Sequence, residues 1–109
     1  MDFKEYQEKS RKTAIYPNAG DNYVYPTLGL AGETGEVAEK IKKAIRDEEG
    51  KISEERKQDL KKELGDILWY VSQLASELGL GLDEIAEKNI EKLYSRMDRG
   101  VLSGSGDDR

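Results

Sequence analysis

Four carboxylates on two segments are the residues of this chain best placed to do chemistry. Glu33 and Glu36 are three positions apart, and so are Glu63 and Asp66. On a helix that spacing sets both side chains on one side, about a turn apart. If the two segments are helices packed antiparallel about a turn at Gly50, the pairs sit at similar heights, because Glu36 and Glu63 lie 14 and 13 residues from that glycine. Acids brought together in this way repel and resist ionising unless a cation compensates them. The chain has no histidine and no cysteine, so any metal must be bound through oxygen. A hard cation suits such ligands, Mg²⁺ first and Mn²⁺ as the alternative. The competing view is ordinary solvated charge, since 23 acidic residues in 109 produce many such pairs by chance.

Three glycines weigh on that choice. Gly32 and Gly35 flank the first pair and Gly65 precedes Asp66. Each costs about 1 kcal/mol relative to alanine inside a helix. The expected return is a close crossing of the two helices at the carboxylates. A different reading is that Gly29, Gly32 and Gly35 mark a late helix start.

The elements that must position these residues are helical. Asp2 followed by Glu5 resembles a capping box, and Phe3 and Tyr6 face one side of a short first helix that ends before Pro17. The stretch "YPNAGDNYVYPT", with both prolines and three tyrosines, reads as an ordered loop. A second helix is expected from about Thr27 to Asp47, with Leu30, Val37, Ala38, Ile41, Ala44 and Ile45 on one stripe. After "DEEGK", Ser53 caps a third helix that carries the strongest periodicity: Leu60, Leu64, Ile67, Leu68, Val71, Leu74, Ala75 and Leu78. "GLGLD" ends it. A fourth helix should run from about Asp83 to Met97 with Ile85, Ala86, Ile90, Leu93, Tyr94 and Met97 inward. No strand-like alternation is present, so the fold class is all-α: an antiparallel bundle of about four helices, built chiefly on the second to fourth. Residues 1–98 form one domain and 99–109 a Gly/Ser-rich tail.

Composition narrows the function. Charged residues make up 38% of the chain against 36% hydrophobic, so one copy buries a thin core and a homodimer or homotetramer is expected to complete it. The net charge of −5 disfavours nucleic-acid polymers and anionic membranes, which both attract basic surfaces. No apolar run approaches the roughly 20 residues that span a bilayer, and the first residues lack the apolar core of a signal peptide. A cytoplasmic location is expected.

The order Glu33-x-x-Glu36, a spacer over positions 37–62, then Glu63-x-x-Asp66, resembles the metal-binding signature of the MazG-like all-α nucleoside triphosphate pyrophosphohydrolases. "LGLAGETGEVAEKIKK", "KKELGDILWYV" and "NIEKLYSR" look like that family's successive blocks, spanning residues 24–98, and the tail "RGVLSGSGDDR" resembles the ending of one group of its small members. The resemblance implies Mg²⁺-dependent hydrolysis of a nucleoside triphosphate to the monophosphate and pyrophosphate, by attack at the α-phosphorus. It implies Glu33, Glu36, Glu63 and Asp66 as metal ligands, and Asn89, Lys92 and Arg96 as phosphate and nucleotide contacts. The spacing of these last three agrees, since it puts them on one helical face. Their bland alternative is a solvated edge pairing with Glu87 or Glu91. Without His or Cys, the chemistry expected is attack by an activated water with a carboxylate as base. Which of the four acids, or Glu39, takes the proton is left open by spacing.

Two aromatics stand near this face. Trp69 falls at about 300° on a helical scale with Asp66 at zero, among polar residues, and is expected to meet a second subunit or a nucleobase. Tyr70, at about 40°, lies on the Asp66 side and lines either the substrate pocket or the core edge. Tyr23 and Tyr25 are either a wall for the nucleoside or loop packing. The "GSGDDR" tail either closes over phosphates with Arg109 or is a disordered terminus. Two other functions compete with housecleaning hydrolysis of a (deoxy)nucleoside triphosphate: that of a phosphoribosyl-ATP pyrophosphohydrolase, and that of a non-catalytic helical oligomerisation module.

Overall fold

The computed structural model describes residues 1–109, arranged as four helices without strands: α1 Phe3–Arg11, α2 Val24–Asp47, α3 Glu54–Glu77 and α4 Leu82–Asp98. Local sequence accounts for most of their ends. Asp2 Oδ1 accepts the Glu5 amide at 2.8 Å and Ser53 Oγ accepts the Arg56 amide at 3.1 Å, so both expected caps are made. Glu49 and Gly50 take left-handed φ values of 55° and 79° and reverse the chain between α2 and α3.

Helix α2 begins at Val24, three residues before the expected Thr27, with Pro26 in its first turn. A proline is tolerated there because the first amides of a helix have no partner within it. Asn22 Oδ1 accepts the Tyr25 amide at 3.1 Å and performs the capping.

Helices α2 and α3, joined by a short turn, form the central hairpin, whose loop end is clamped by Arg56. Its guanidinium meets Glu48 Oε1 at 2.9 Å and the Lys40 carbonyl at 3.1 Å. The second layer departs from expectation. Helix α1 packs on α3 and on α4, and becomes the element that ties α4 to the rest. The α1–α3 seam is polar: Ser10, Ser72 and Gln73 are buried, with Ser10 Oγ 3.0 Å from Ser72 Oγ and Gln73 Nε2 donating to Ser10 Oγ at 3.1 Å. Gln7 fastens α4 by accepting the Leu82 amide at 2.8 Å and donating to the Leu80 carbonyl at 2.9 Å.

Helix α4 buries Leu82 and half-buries Ala86, while Ile90, Tyr94 and Met97 are 50%, 58% and 52% exposed. Its expected inward stripe is thus largely uncovered within one chain. The same holds for Ile45 and Leu64 on the hairpin.

Candidate functional site

Three carboxylates converge on one face of the hairpin. Glu33 on α2 and Glu63 and Asp66 on α3 each bring one oxygen into a group whose members all lie within 4.8 Å of one another. Glu33 and Glu63 are half-buried, and Asp66 is exposed. Glu36 is exposed outside this group, yet its charge still acts on Glu33. The four expected ligands therefore divide into three that converge and one that flanks them.

Electrostatics follow from that packing. The Glu33 carboxyl is raised from 4.5 to about 7, through a hydrogen bond shared with Glu63, then burial, then the charges of Glu63, Asp66 and Glu36. The only ion pair to this group is Lys40 Nζ to Glu63 Oε1 at 3.7 Å. Lys40 follows Glu36 by four positions on the same helical face, a signal that sequence reasoning passed over. Three oxygen donors, left short of positive charge and keeping a proton near neutrality, fit a hard divalent cation, which would replace that proton.

A pH effect follows. A carboxyl raised above its unfolded value stabilises the fold least once it must ionise, so the metal-free protein should lose stability as pH rises from 4.5 to about 7. Added Mg²⁺ should raise the melting temperature at pH 8 and have little effect at pH 5. Thermal melts of the parent chain and Glu33→Gln, with and without Mg²⁺, read this out. A parent response to Mg²⁺ that is the same at both pH values, or that survives Glu33→Gln in full, would contradict it.

The glycines act differently from expectation. A Cβ added at Gly32, Gly35 or Gly65 would meet open space, so no close crossing occurs there within the chain, and since α2 begins at Val24 they mark no late start either. The close approach is at Gly29, where a Cβ would stand 2.2 Å from the Tyr70 ring. Gly29 lets Tyr70 lie against α2. The Tyr70 phenol is pushed up by burial and by its neighbours Tyr25 and Glu33, which places it beside the carboxylates.

Tyr70 belongs to an aromatic chain. Trp69 meets it edge-on at 5.1 Å between centroids, Tyr16 meets Trp69 at 6.3 Å, and Tyr25 stacks on Tyr16 at 4.8 Å. Trp69 Nε1 donates to Thr13 Oγ1 at 2.8 Å. The polar side of α3 that carries Trp69 is therefore covered by this chain's own α1–α2 loop. Tyr25 takes part in the same stack from an exposed position, while Tyr23, also exposed, stands outside it. Tyr6 on α1 has its phenol raised by burial and then by the charge of Asp66.

Helix α4 is separate from the carboxylates. Asn89 and Lys92 line an open groove of about 440 Å³ that contains none of them. Lys92 Nζ pairs with Asp107 Oδ1 at 2.9 Å, and Arg96 pairs with the same oxygen at 3.1 Å and with the Asp107 main-chain oxygen. Neither cation turns to Glu87 or Glu91; Glu91 pairs with Lys88 instead. Arg96 is buried at 4% exposure, and its Nε has no hydrogen-bond partner. Glu39 pairs with Lys42 at 2.8 Å, which holds its carboxyl below the ordinary range, and it lies outside the converging group.

Residues 26–101 match the MazG nucleotide pyrophosphohydrolase domain. The chain belongs to the MazG nucleotide pyrophosphohydrolase family. It is also 50% identical over 109 residues to the Gene 37 protein of Mycobacterium phage L5, a match covering 95% of this chain and 96% of the phage protein. No solved structure matches the chain. The matched family region runs from the first turn of α2 past the end of α4, so it takes in the carboxylate triad and the α4 cations of this MazG-family chain but excludes α1. No helix is long and apolar enough to cross a membrane.

Proposed function

We propose that this MazG-family chain is a Mg²⁺-dependent pyrophosphohydrolase that converts a (deoxy)nucleoside triphosphate to its monophosphate and pyrophosphate in the cytoplasm, as nucleotide-pool housecleaning. The observation that carries the reading is the convergence of Glu33, Glu63 and Asp66 within 4.8 Å, from two helices that lie inside the matched family region. Mn²⁺ is the alternative metal.

In this reading Glu33, Glu63 and Asp66 hold the metal, and Glu36 supports them from the rim. Bound Mg²⁺ supplies charge stabilisation at phosphate oxygens and makes a water more acidic. The water oxygen bonds to the α-phosphorus, the bond from that phosphorus to the bridging oxygen breaks, and pyrophosphate leaves with that oxygen. A carboxylate of the cluster accepts the water's proton. Tyr70 beside Glu33 narrows the approach, with Trp69 behind it. Asn89 and Lys92 on α4 meet the phosphates and nucleotide, with Arg96 buried beneath them.

Because Lys92 and Arg96 bond only to the tail in one chain, and the α4 apolar face is bare, we read the working form as a homodimer or homotetramer. A second copy would cover Ile90, Tyr94 and Met97 and bring α4 to a carboxylate face. Sedimentation equilibrium should give at least twice the chain mass, and Tyr94→Lys should reduce it; a monomeric parent chain would sink this part.

Pyrophosphate release from a panel of canonical and damaged nucleotides, with and without Mg²⁺, tests the reading. Preference for phosphoribosyl-ATP would move the chain to that reaction. Absence of turnover on every nucleotide would leave a helical oligomerisation module.

A further inference from the structure

Lys92 and Arg96, about one turn apart on α4, both turn to Asp107 Oδ1, but their surroundings differ. The Arg96 side chain is 5% exposed, and its hydrogen bonds go to Asp107, through both side chain and main chain. That of Lys92 is 41% exposed and lines the open groove beside Asn89. A phosphate arriving from solvent therefore reaches Lys92 and not Arg96.

The segment that carries Asp107 is closed on itself. Arg109 Nε donates to the Val101 carbonyl at 2.9 Å, Nη2 to Leu102 at 2.8 Å and Nη1 to Gly106 at 2.6 Å. Gly106 takes a φ of 87°, a left-handed turn that glycine adopts without strain. The tail is thus a tied loop, with one carboxylate anchored from beneath by a buried guanidinium and offered to an accessible ammonium. Bonds from Lys92 and then Arg96 hold the Asp107 carboxyl below the ordinary range, so it is charged at neutral pH.

We infer that Asp107 is a positioning residue of the phosphate site: Arg96 acts through Asp107 and not on the ligand, and Asp107 holds Lys92 as the cation that meets phosphate oxygens. This rests on the nucleotide reading above. The physical reason is pre-organisation. A lysine ammonium on a flexible stem loses rotamer freedom when it binds an anion, and holding it beforehand removes part of that loss. Two cations at this spacing also repel, and a shared carboxylate offsets the repulsion.

Calorimetric titration of the full chain with inorganic pyrophosphate and Mg²⁺ tests the inference without turnover. Asp107→Asn should weaken binding about tenfold, Asp107→Glu should recover part of the loss, and Asp107→Asn should change nothing further in a Lys92→Ala background. With nucleotide, the loss should fall on KM more than on kcat. Arg96→Lys, which keeps the charge but loses the fork, should weaken pyrophosphate only when Lys92 is present, and it decides the matter should Asp107→Asn melt early. Unchanged or tighter binding by both Asp107→Asn and Arg96→Lys, an equal loss with and without Lys92, or a parent chain that ignores pyrophosphate would overturn the inference. A parent chain that binds pyrophosphate in this pattern yet hydrolyses no nucleotide would overturn the enzymatic reading and leave this one standing.

Discussion

Replacing Glu63 by glutamine is expected to lower Mg²⁺-dependent pyrophosphate release by about two to three orders of magnitude, the scale seen when one pre-organised charge-stabilising group is removed. Glu63 is the hub of the carboxylate group. It is the largest influence raising the Glu33 carboxyl, offers an oxygen within 4.8 Å of both other ligand oxygens, and carries the single ion pair to Lys40. Glutamine keeps its volume and can still bond to Glu33, but it removes the charge that would hold a divalent cation. The fold should not suffer, because the substitution also relieves repulsion among like charges, so the melting temperature without metal should stay level or rise. Steady-state rates with a nucleotide at saturating Mg²⁺, beside a thermal melt, separate the two effects. Turnover within threefold of the parent chain would remove the triad from the reaction.

The second large effect is on stability. Glu77→Ala should cost about 3 kcal/mol, because it leaves a partly buried guanidinium and two amides without their acceptor. The Glu77 side chain is fully buried and receives Arg11 Nη2 at 2.7 Å, the Gly20 amide at 2.8 Å and the Asn22 amide at 2.7 Å. Burial alone would raise its carboxyl, yet these bonds outweigh burial and hold it below the ordinary range. Through this one side chain, α3 fixes α1 and the loop that delivers Asn22 to cap α2. A loss of roughly 10–20 °C in melting temperature is expected for a domain of this size. A drop of under 2 °C would mean that the aromatic stack of Tyr16, Tyr25 and Trp69 holds the loop without Glu77.

Much of the candidate site was legible in the chain because it depends on local spacing. Two acids three apart must share a helical side, and a short α2–α3 turn must fold those sides back on one another, so the meeting of Glu33 with Glu63 and Asp66 needed no knowledge of the rest. Ser53 and Asp2 were equally legible, since a cap acts three residues ahead. Glu36 was not separable from its partners by spacing, because a few tens of degrees around the helix decide whether a side chain faces the cluster or the rim. The glycines misled because their cost is local while their benefit is not: Gly29 is used against Tyr70, and Gly32, Gly35 and Gly65 face open space.

By itself, then, the sequence determined an all-α chain, the third and fourth helices to within a residue or two, the paired acids and the family. Tertiary structure alone decided that polar Ser72 and Gln73 are buried, that α1 joins α4 to the hairpin, that Trp69 is sheltered by its own loop, and that Lys92 and Arg96 meet Asp107. The physical reason is the range of the interactions. Helical periodicity is set within a dozen residues, whereas a polar side chain is buried only when its partner arrives, and here Ser10 meets Ser72 across 62 positions and Gln7 meets Leu82 across 75.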